Sequence, residues 1–352
     1  MVMRVDEREL QRFLSVTETF PSVHVGVFGD LVADSYLYGI PCRLSREAPV
    51  IILRHEKEEF FPGGAANTVS NLLSMGAKVT VLGMVGDDPP GRKLLEHLEA
   101  RGADLSGVIC SSTWKTIGKC RILAGDYNTK KQQVLRIDQE PSKEPSREEL
   151  TSLSRKVESL ADRLDAWVVS DYGYSLVSPQ LIRFMREEAL RGKVVVADSR
   201  YRIREFHGVT LVTPNEAELF SAYGVDQSAV FGSVDHSVSE TGRRLLDDLE
   251  SRAVLVTRGN RGMMLFEPGR EPESVPISGT ADIVDVSGAG DTVVAAVTLA
   301  LAGRSSFLEA ARLANIAAGV KVMKHGTLPV SATEVRVAAR KLALNGQGPS
   351  KN

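Results

Sequence analysis

Gly288, Ala289, Gly290 and Asp291 stand where an alternating apolar run, Asp282 to Ser287, meets an Ala-rich one, Thr292 to Ala302. The pattern predicts a strand, a glycine turn and a buried helix. Gly288 and Gly290 remove the side chains that would keep a ligand off the backbone. The free N–H groups of such a turn, backed by the helix dipole, suit a phosphate whose charge grows or shifts. A carboxylate at Asp291 opposes a bound phosphate unless it has a task, and accepting a proton from an attacking hydroxyl is such a task. The plainer account is that an aspartate in a first helical turn merely complements the dipole. Two other phosphate motifs fit poorly. Val293 stands where the third glycine of a dinucleotide fingerprint belongs, and no Gly-x-x-x-x-Gly-Lys-Ser/Thr loop occurs.

These residues must be positioned by a large core, which 352 residues at 43% hydrophobic can supply. A net charge of −2 gives no field for nucleic acid or an anionic membrane, so any useful basic cluster must be local and directed at a small ligand. Cys42, Cys110 and Cys120 show no Cys-x-x-Cys spacing and the histidines no His-x-x-x-His pair, which argues against a disulfide framework and a zinc site. Met1 to Phe20 is charged and helix-like without an apolar signal region, and the chain reads as cytoplasmic. Residues 1–22 are expected as a helical extension, 23–335 as one α/β domain with a central, mostly parallel sheet flanked by helices, and 336–352 as a terminal helix and tail.

Along the chain, the apolar run Val23 to Gly29 predicts an interior parallel strand. Asp30 and Asp34, at and beyond its carboxyl end, are candidates for binding ligand hydroxyls. Residues 36–61 and 114–138 lack a helical period and predict strands that form one small sheet, a lid outside the main one. Gly63 and Gly64 open a helix that carries Asn67 one turn in, where its amide can offer both donor and acceptor to a sugar. Strand–helix alternation then resumes, with strands over Val79 to Gly86, Ala166 to Ser170 and Lys193 to Ala197 and helices over Pro89 to Gly102, Arg147 to Leu164 and Phe307 to Lys324. Asp171 and Asp198 follow two of these strands. Asn215 and Glu218 sit one helical turn apart at a Pro-started helix, which by itself is only an acidic first turn.

Taken together, the two glycine-led helix starts are recognisable. Pro62-Gly63-Gly64-Ala65-Ala66-Asn67 and Asp285-Val286-Ser287-Gly288-Ala289-Gly290-Asp291-Thr292 resemble the N- and C-terminal signatures of the ribokinase-like, or PfkB, family of carbohydrate kinases. The likeness runs from about Val23 to Val330. Gly29 to Tyr36 and Arg43 to Val50 are most similar to the heptose 7-phosphate kinases of lipopolysaccharide precursor synthesis. The resemblance implies a ribokinase-like fold, ATP and Mg²⁺ as cofactors, and Asp291 as the base, with the Gly288, Ala289 and Gly290 turn as anion hole. It implies substrate contacts from Asp30, Asp34, Gly63, Gly64, Asn67 and Asp171 and from the lid cations Arg43, Lys119, Arg121 and Arg136, which would hold a phosphate already on the sugar. For the nucleotide it implies Asn215, Thr257, Gly259, Gly288, Gly290 and Asn315. Glu218 would hold Mg²⁺ through water, and Asp285 would help hold a monovalent cation such as K⁺. A homodimer through the lid is implied, and so is a chain without room, before Asn352, for the nucleotidyltransferase domain fused to some heptose kinases. Tyr174, Ser199 and Arg200 depart from the heptose-kinase pattern, which leaves a kinase for another sugar or nucleoside, or a sugar-phosphate sensor, as alternatives.

Overall fold

The structure is a computed structural model that describes residues 3–126, 131–226, 234–278 and 283–346. Tyr127 and Asn128 of the lid turn, Asp282 and the tail from 347 lie outside the described residues. Helix α1 (Glu7–Thr19), capped by Asp6, leads into β1 (His24–Gly29). Only Asp30 separates β1 from β2 (Leu31–Leu44), which pairs with β3 (Ile51–Gly64), and β3 runs without a loop into α2 (Ala65–Ser74). Then follow β4 (Lys78–Gly86), α3 (Pro89–Glu99), β5 (Asp104–Ser111), β6 (Ile117–Ala124) and β7 (Gln132–Gln139). The next elements are α4 (Arg147–Leu160), β8 (Ala166–Asp171), α5 (Pro179–Leu190), β9 (Val194–Ser199), β10 (Leu211–Val212), α6 (Glu216–Ala222) and α7 (Val234–Leu249). The chain continues through β11 (Ala253–Thr257), β12 (Met263–Phe266), β13 (Glu273–Val275), α8 (Ala289–Ala302), α9 (Phe307–Lys321) and α10 (Ala332–Gly346).

Nine strands form the main sheet in the order β13-β12-β11-β10-β9-β8-β1-β4-β5, parallel from β11 to β5 and antiparallel where β12 and β13 extend it. Because β1 and β8 are covered on both faces, they read as continuous apolar runs, and all six residues of β8 are buried. Successive side chains enter opposite layers. Val25 and Val27 join a core with α1, α2, α8, α9 and α10, while Phe28 joins the other with α4, α5, α6 and α7. Every residue of α8 from Asp291 to Leu301 is buried, which explains a helix apolar on all sides.

The second sheet has the order β3-β2-β6-β7, with β2 and β6 parallel and the outer pairs antiparallel. It is the expected lid, although β2 and β3 reach back to Leu31 and Gly64, so the lid grows directly out of the main sheet. The register places Asp34 beside Lys119, Tyr36 beside Arg121 and Arg121 beside Arg136, all on one face.

One expectation is corrected. The predicted strand leading to Ser287 is not a strand in its described part, 283–287. Ile283, Val284 and Val286 are exposed. The Val284 and Asp285 amides both donate to the carbonyl of Val322, at 2.8 and 3.1 Å. That carbonyl sits at the C-terminus of α9, which needs donors, so the segment caps a helix instead of joining a ladder.

Candidate active site

At the start of α8, Gly288 is the N-cap in the left-handed conformation, with φ of 76°. A Cβ there would stand 2.4 Å from Asn67 Nδ2, so the close approach of α2 to α8 requires glycine. The Ala289 amide donates to Val286 O at 3.2 Å, while the amides of Gly290 and Asp291 have no partner among the described residues. Open space lies where a Cβ of Gly290 would point. Two free donors at a helix start, with open space beside Gly290, suit an anion.

Asp291 is buried and accepts hydrogen bonds from Asn67 Nδ2 at 2.6 Å, Tyr172 Oη at 3.1 Å and Thr68 Oγ1 at 3.4 Å. Burial pushes its pKa up to about 6, against the pull of the Asn67 and Tyr172 donors, and Asp34 adds to the rise. A carboxylate so placed is ionised at neutral pH yet basic enough to take a proton. Its orientation is fixed from behind. Thr292 Oγ1 donates to Asn71 Oδ1 at 3.1 Å, and the same oxygen accepts the Val330 amide at 3.1 Å, which locks α2, α8 and the approach to α10.

Asp30 is fully buried at the end of β1. Its Oδ2 accepts the Tyr172 amide at 2.7 Å and its carbonyl accepts the Ala65 amide at 3.0 Å, while Oδ1 has no partner among the described residues. Burial raises its pKa to about 7. Asp171 turns inward, accepting Ser199 Oγ at 2.7 Å and the Gly173 amide at 3.1 Å, so it orders the exit of β8. Asp34, nearly buried, accepts Arg121 Nη1 at 2.9 Å, with side chains 6% and 16% exposed. Gly63 pairs with Val32, and a Cβ on it would stand 2.5 Å from Asp34 Oδ2, while Gly64 caps α2. Burial raises the Asp34 pKa despite Arg121, and lowers that of Lys119 despite Asp34. Lys119 lies over the Tyr172 ring at 5.3 Å, which brings a cation next to the group that touches Asp291.

Of the other two lid cations, Arg136 shares the face of Arg121 but is engaged elsewhere. Arg136 is half exposed and engaged by Asp138 at 2.8 and 2.9 Å. Arg43 is exposed, nine residues past Asp34 on β2, hence about 30 Å farther along the strand. Within one chain it does not meet Arg121.

At the start of α6, Asn215 and Glu218 form a capping box, each side chain accepting the other's amide at 2.9 Å. The Thr257 amide donates to Pro214 O at 2.9 Å, and Asn215 pairs with Thr257 in an isolated bridge. Gly259, with φ of 55°, is exposed in the turn after β11, which Arg258 anchors to Glu216 and Asp235. Burial raises Glu218 and, far more, Asp198, on which Glu218 acts as the next influence. No cluster of three metal-ligating side chains exists among the described residues, so an ion here would keep waters or phosphate oxygens, as Mg²⁺ does. Asn315 is buried in α9 with its amide committed to Pro276 O. Asp285 accepts the Ser287 and Gly326 amides, each at 2.9 Å, and these hold its pKa down although burial opposes them. Sequence reasoning missed Thr68, Tyr172 and Asn71. They lie beside Asn67 and Asp171, and only the fold shows which neighbours point at Asp291.

The pfkB family carbohydrate kinase model matches residues 25–334. The chain belongs to that family. This kinase is 36% identical over 318 residues to the bifunctional protein HldE of Geobacter sulfurreducens, covering 89% of this chain and 62% of that one. It spans 62–66% of the length of the curated relatives it matches. Escherichia coli phosphofructokinase-2 superposes with TM-scores of 0.72, in complex with substrates and products, and 0.70, in complex with potassium. Identities are 18% and 17%, over 91% of this chain and 99% of that one. Arabidopsis thaliana ribokinase with ribose and ATP gives 0.66 at 21% identity, over 91% of this chain and 98% of the other. These likenesses establish the ribokinase-like fold, and the family makes the protein a sugar kinase that uses ATP and Mg²⁺. No described helix is long and apolar enough to cross a membrane.

Proposed function

We propose that this kinase transfers the γ-phosphoryl group of ATP to the anomeric hydroxyl of D-glycero-D-manno-heptose 7-phosphate, giving the 1,7-bisphosphate. The observation that carries the reading is the lid face on which Lys119 and Arg121 flank Asp34 and Lys119 lies over Tyr172, the partner of Asp291. Two cations suit a substrate phosphate, and the relatives named HldE support the heptose. Asp291 takes the hydroxyl proton as the sugar oxygen bonds to the γ-phosphorus and the bond to ADP breaks. The Gly290 and Asp291 amides hold the transferring group. Asn215, Glu218 and Asp198 would hold Mg²⁺ through water, and the ion would offset triphosphate charge. An ATP-consumption panel should show heptose 7-phosphate preferred over free heptose by about tenfold or more in kcat/KM. Faster turnover of free sugars or nucleosides would replace this assignment with another substrate of the same family.

The lid also carries exposed apolar side chains, among them Leu44, Val50, Ile51, Leu135 and Ile137. A second copy presenting the same lid would cover them and protect the edge strands. The kinase is therefore expected to be a homodimer. Light scattering that finds only monomer at micromolar concentration would defeat this account of the lid.

A further inference from the structure

Lysine is almost never fully buried without a partner. Lys321, the last residue of α9, is 0% exposed, and its Nζ has no hydrogen-bond partner and no carboxylate within 4.0 Å among the described residues. A lysine at a helix C-terminus ordinarily complements the dipole with its ammonium in water. Lys324, three residues later, does have partners, donating to Pro329 O at 2.7 Å and pairing with Glu334 at 2.6 Å. Lys321 instead follows Ala314 and Ala317 on the buried face of α9, where α9 packs on α8. The charges that act on it are Asp285 first among the carboxylates, then Asp291, with Lys324 opposing.

Asp285 is the hinge of the segment that carries the glycine turn. Its carboxylate joins Ser287 to Gly326, its amide caps α9 at Val322, and His325 Nδ1 lies 3.9 Å away. The carboxylate and the negative end of α9 thus converge where the segment bends toward Gly288. Lys321 itself is fully buried, so little water screens its charge from them. We propose that the Lys321 ammonium is a built-in counter-ion for this segment, a positioning residue that fixes the Gly288–Gly290 turn and does internally what a bound monovalent cation would do. Such a charge also repels a second cation, so Asp285 does not take up K⁺ in this chain.

The inference rests on reading the glycine turn as the phosphate cradle, and it does not depend on the sugar. Its test is ATP binding measured by calorimetry, with K⁺ exchanged for tetramethylammonium at constant ionic strength. The wild-type protein should bind ATP equally well in both salts. Lys321→Ala opens room for an ion and should bind about tenfold or more weakly in tetramethylammonium, with most of the loss restored by K⁺. Lys321→Met fills the space without charge and should be weakened in both salts. A purely structural lysine would give losses that K⁺ does not touch, and that result overturns the proposal. So does a wild-type affinity that rises about fivefold or more with K⁺, a result that needs no variant to fold. If ATP binds but Asp291→Asn is without effect, the reading of the site fails instead, and the two failures are distinguishable.

Discussion

Asp291→Asn should bind ATP as the wild type does and lower kcat by roughly 10²–10⁴, the usual worth of a positioned general base. The change is nearly isosteric, so Asn67, Thr68 and Tyr172 keep a neighbour of the same shape. The wild-type rate should rise with pH through about 6, where Asp291 loses its proton, and level off above it. The variant should lose that inflection. The same rise in pKa has a stability consequence whose sign is fixed. Between the ordinary aspartate value of 3.8 and about 6 the folded chain holds a proton that the unfolded chain has released, so stability falls as pH rises through this window. The ionised carboxylate then costs roughly 3 kcal/mol at neutral pH, and the asparagine variant should melt higher there. More than about a tenth of wild-type kcat in the variant would remove Asp291 from the role of base.

Arg121→Ala should raise KM for the sugar phosphate and lower kcat/KM by about ten- to a hundredfold, with KM for ATP unchanged. Arg121 and its partner Asp34 are both largely shielded from water, which makes their pairing stronger than a surface ion pair. Truncation also strands the Asp34 carboxylate, so Arg121→Lys serves as the control that keeps charge but not the planar fork. It should recover part of the affinity. An effect of only about twofold would mark Arg121 as an ordinary lid residue. Equal turnover of free and phosphorylated sugar, by wild type and variant alike, would sink the sugar-phosphate reading and leave the kinase itself in place.

The alternation of strands and helices was legible because parallel strands covered on both faces must be continuous apolar runs, as β1 and β8 are. The glycines were legible because Gly63 and Gly288 each stand against a functional side chain, and that intolerance leaves a pattern. What failed was the segment before Ser287, whose alternation of apolar and polar residues imitates a strand while its amides serve the end of α9. Tyr172, Thr68 and Lys321 were not legible for another reason. Each acts through a partner 119, 223 or 36 positions away, and a periodicity reads only neighbours. Arg43 shows the reverse, since a motif can name a residue that lies far along its strand from Arg121 within one chain.

The clasp between the two ends of the domain sets a timetable for synthesis. Arg312 grips Glu9 and the carbonyl of Arg4, and Arg12 reaches the carbonyl of Arg304, so α1 docks on elements some 292 to 303 positions later. Helix α1, which buries Leu10, Phe13 and Val16, packs on α10, and that partner is absent until the last described helix leaves the ribosome. At translation rates of about 5–20 residues per second that wait is roughly 15–60 s. For that interval a nascent amphipathic helix offers its greasy side to whatever holdase or neighbouring chain is near, while the β1–β4–β5 edge has every local partner it needs to begin pairing.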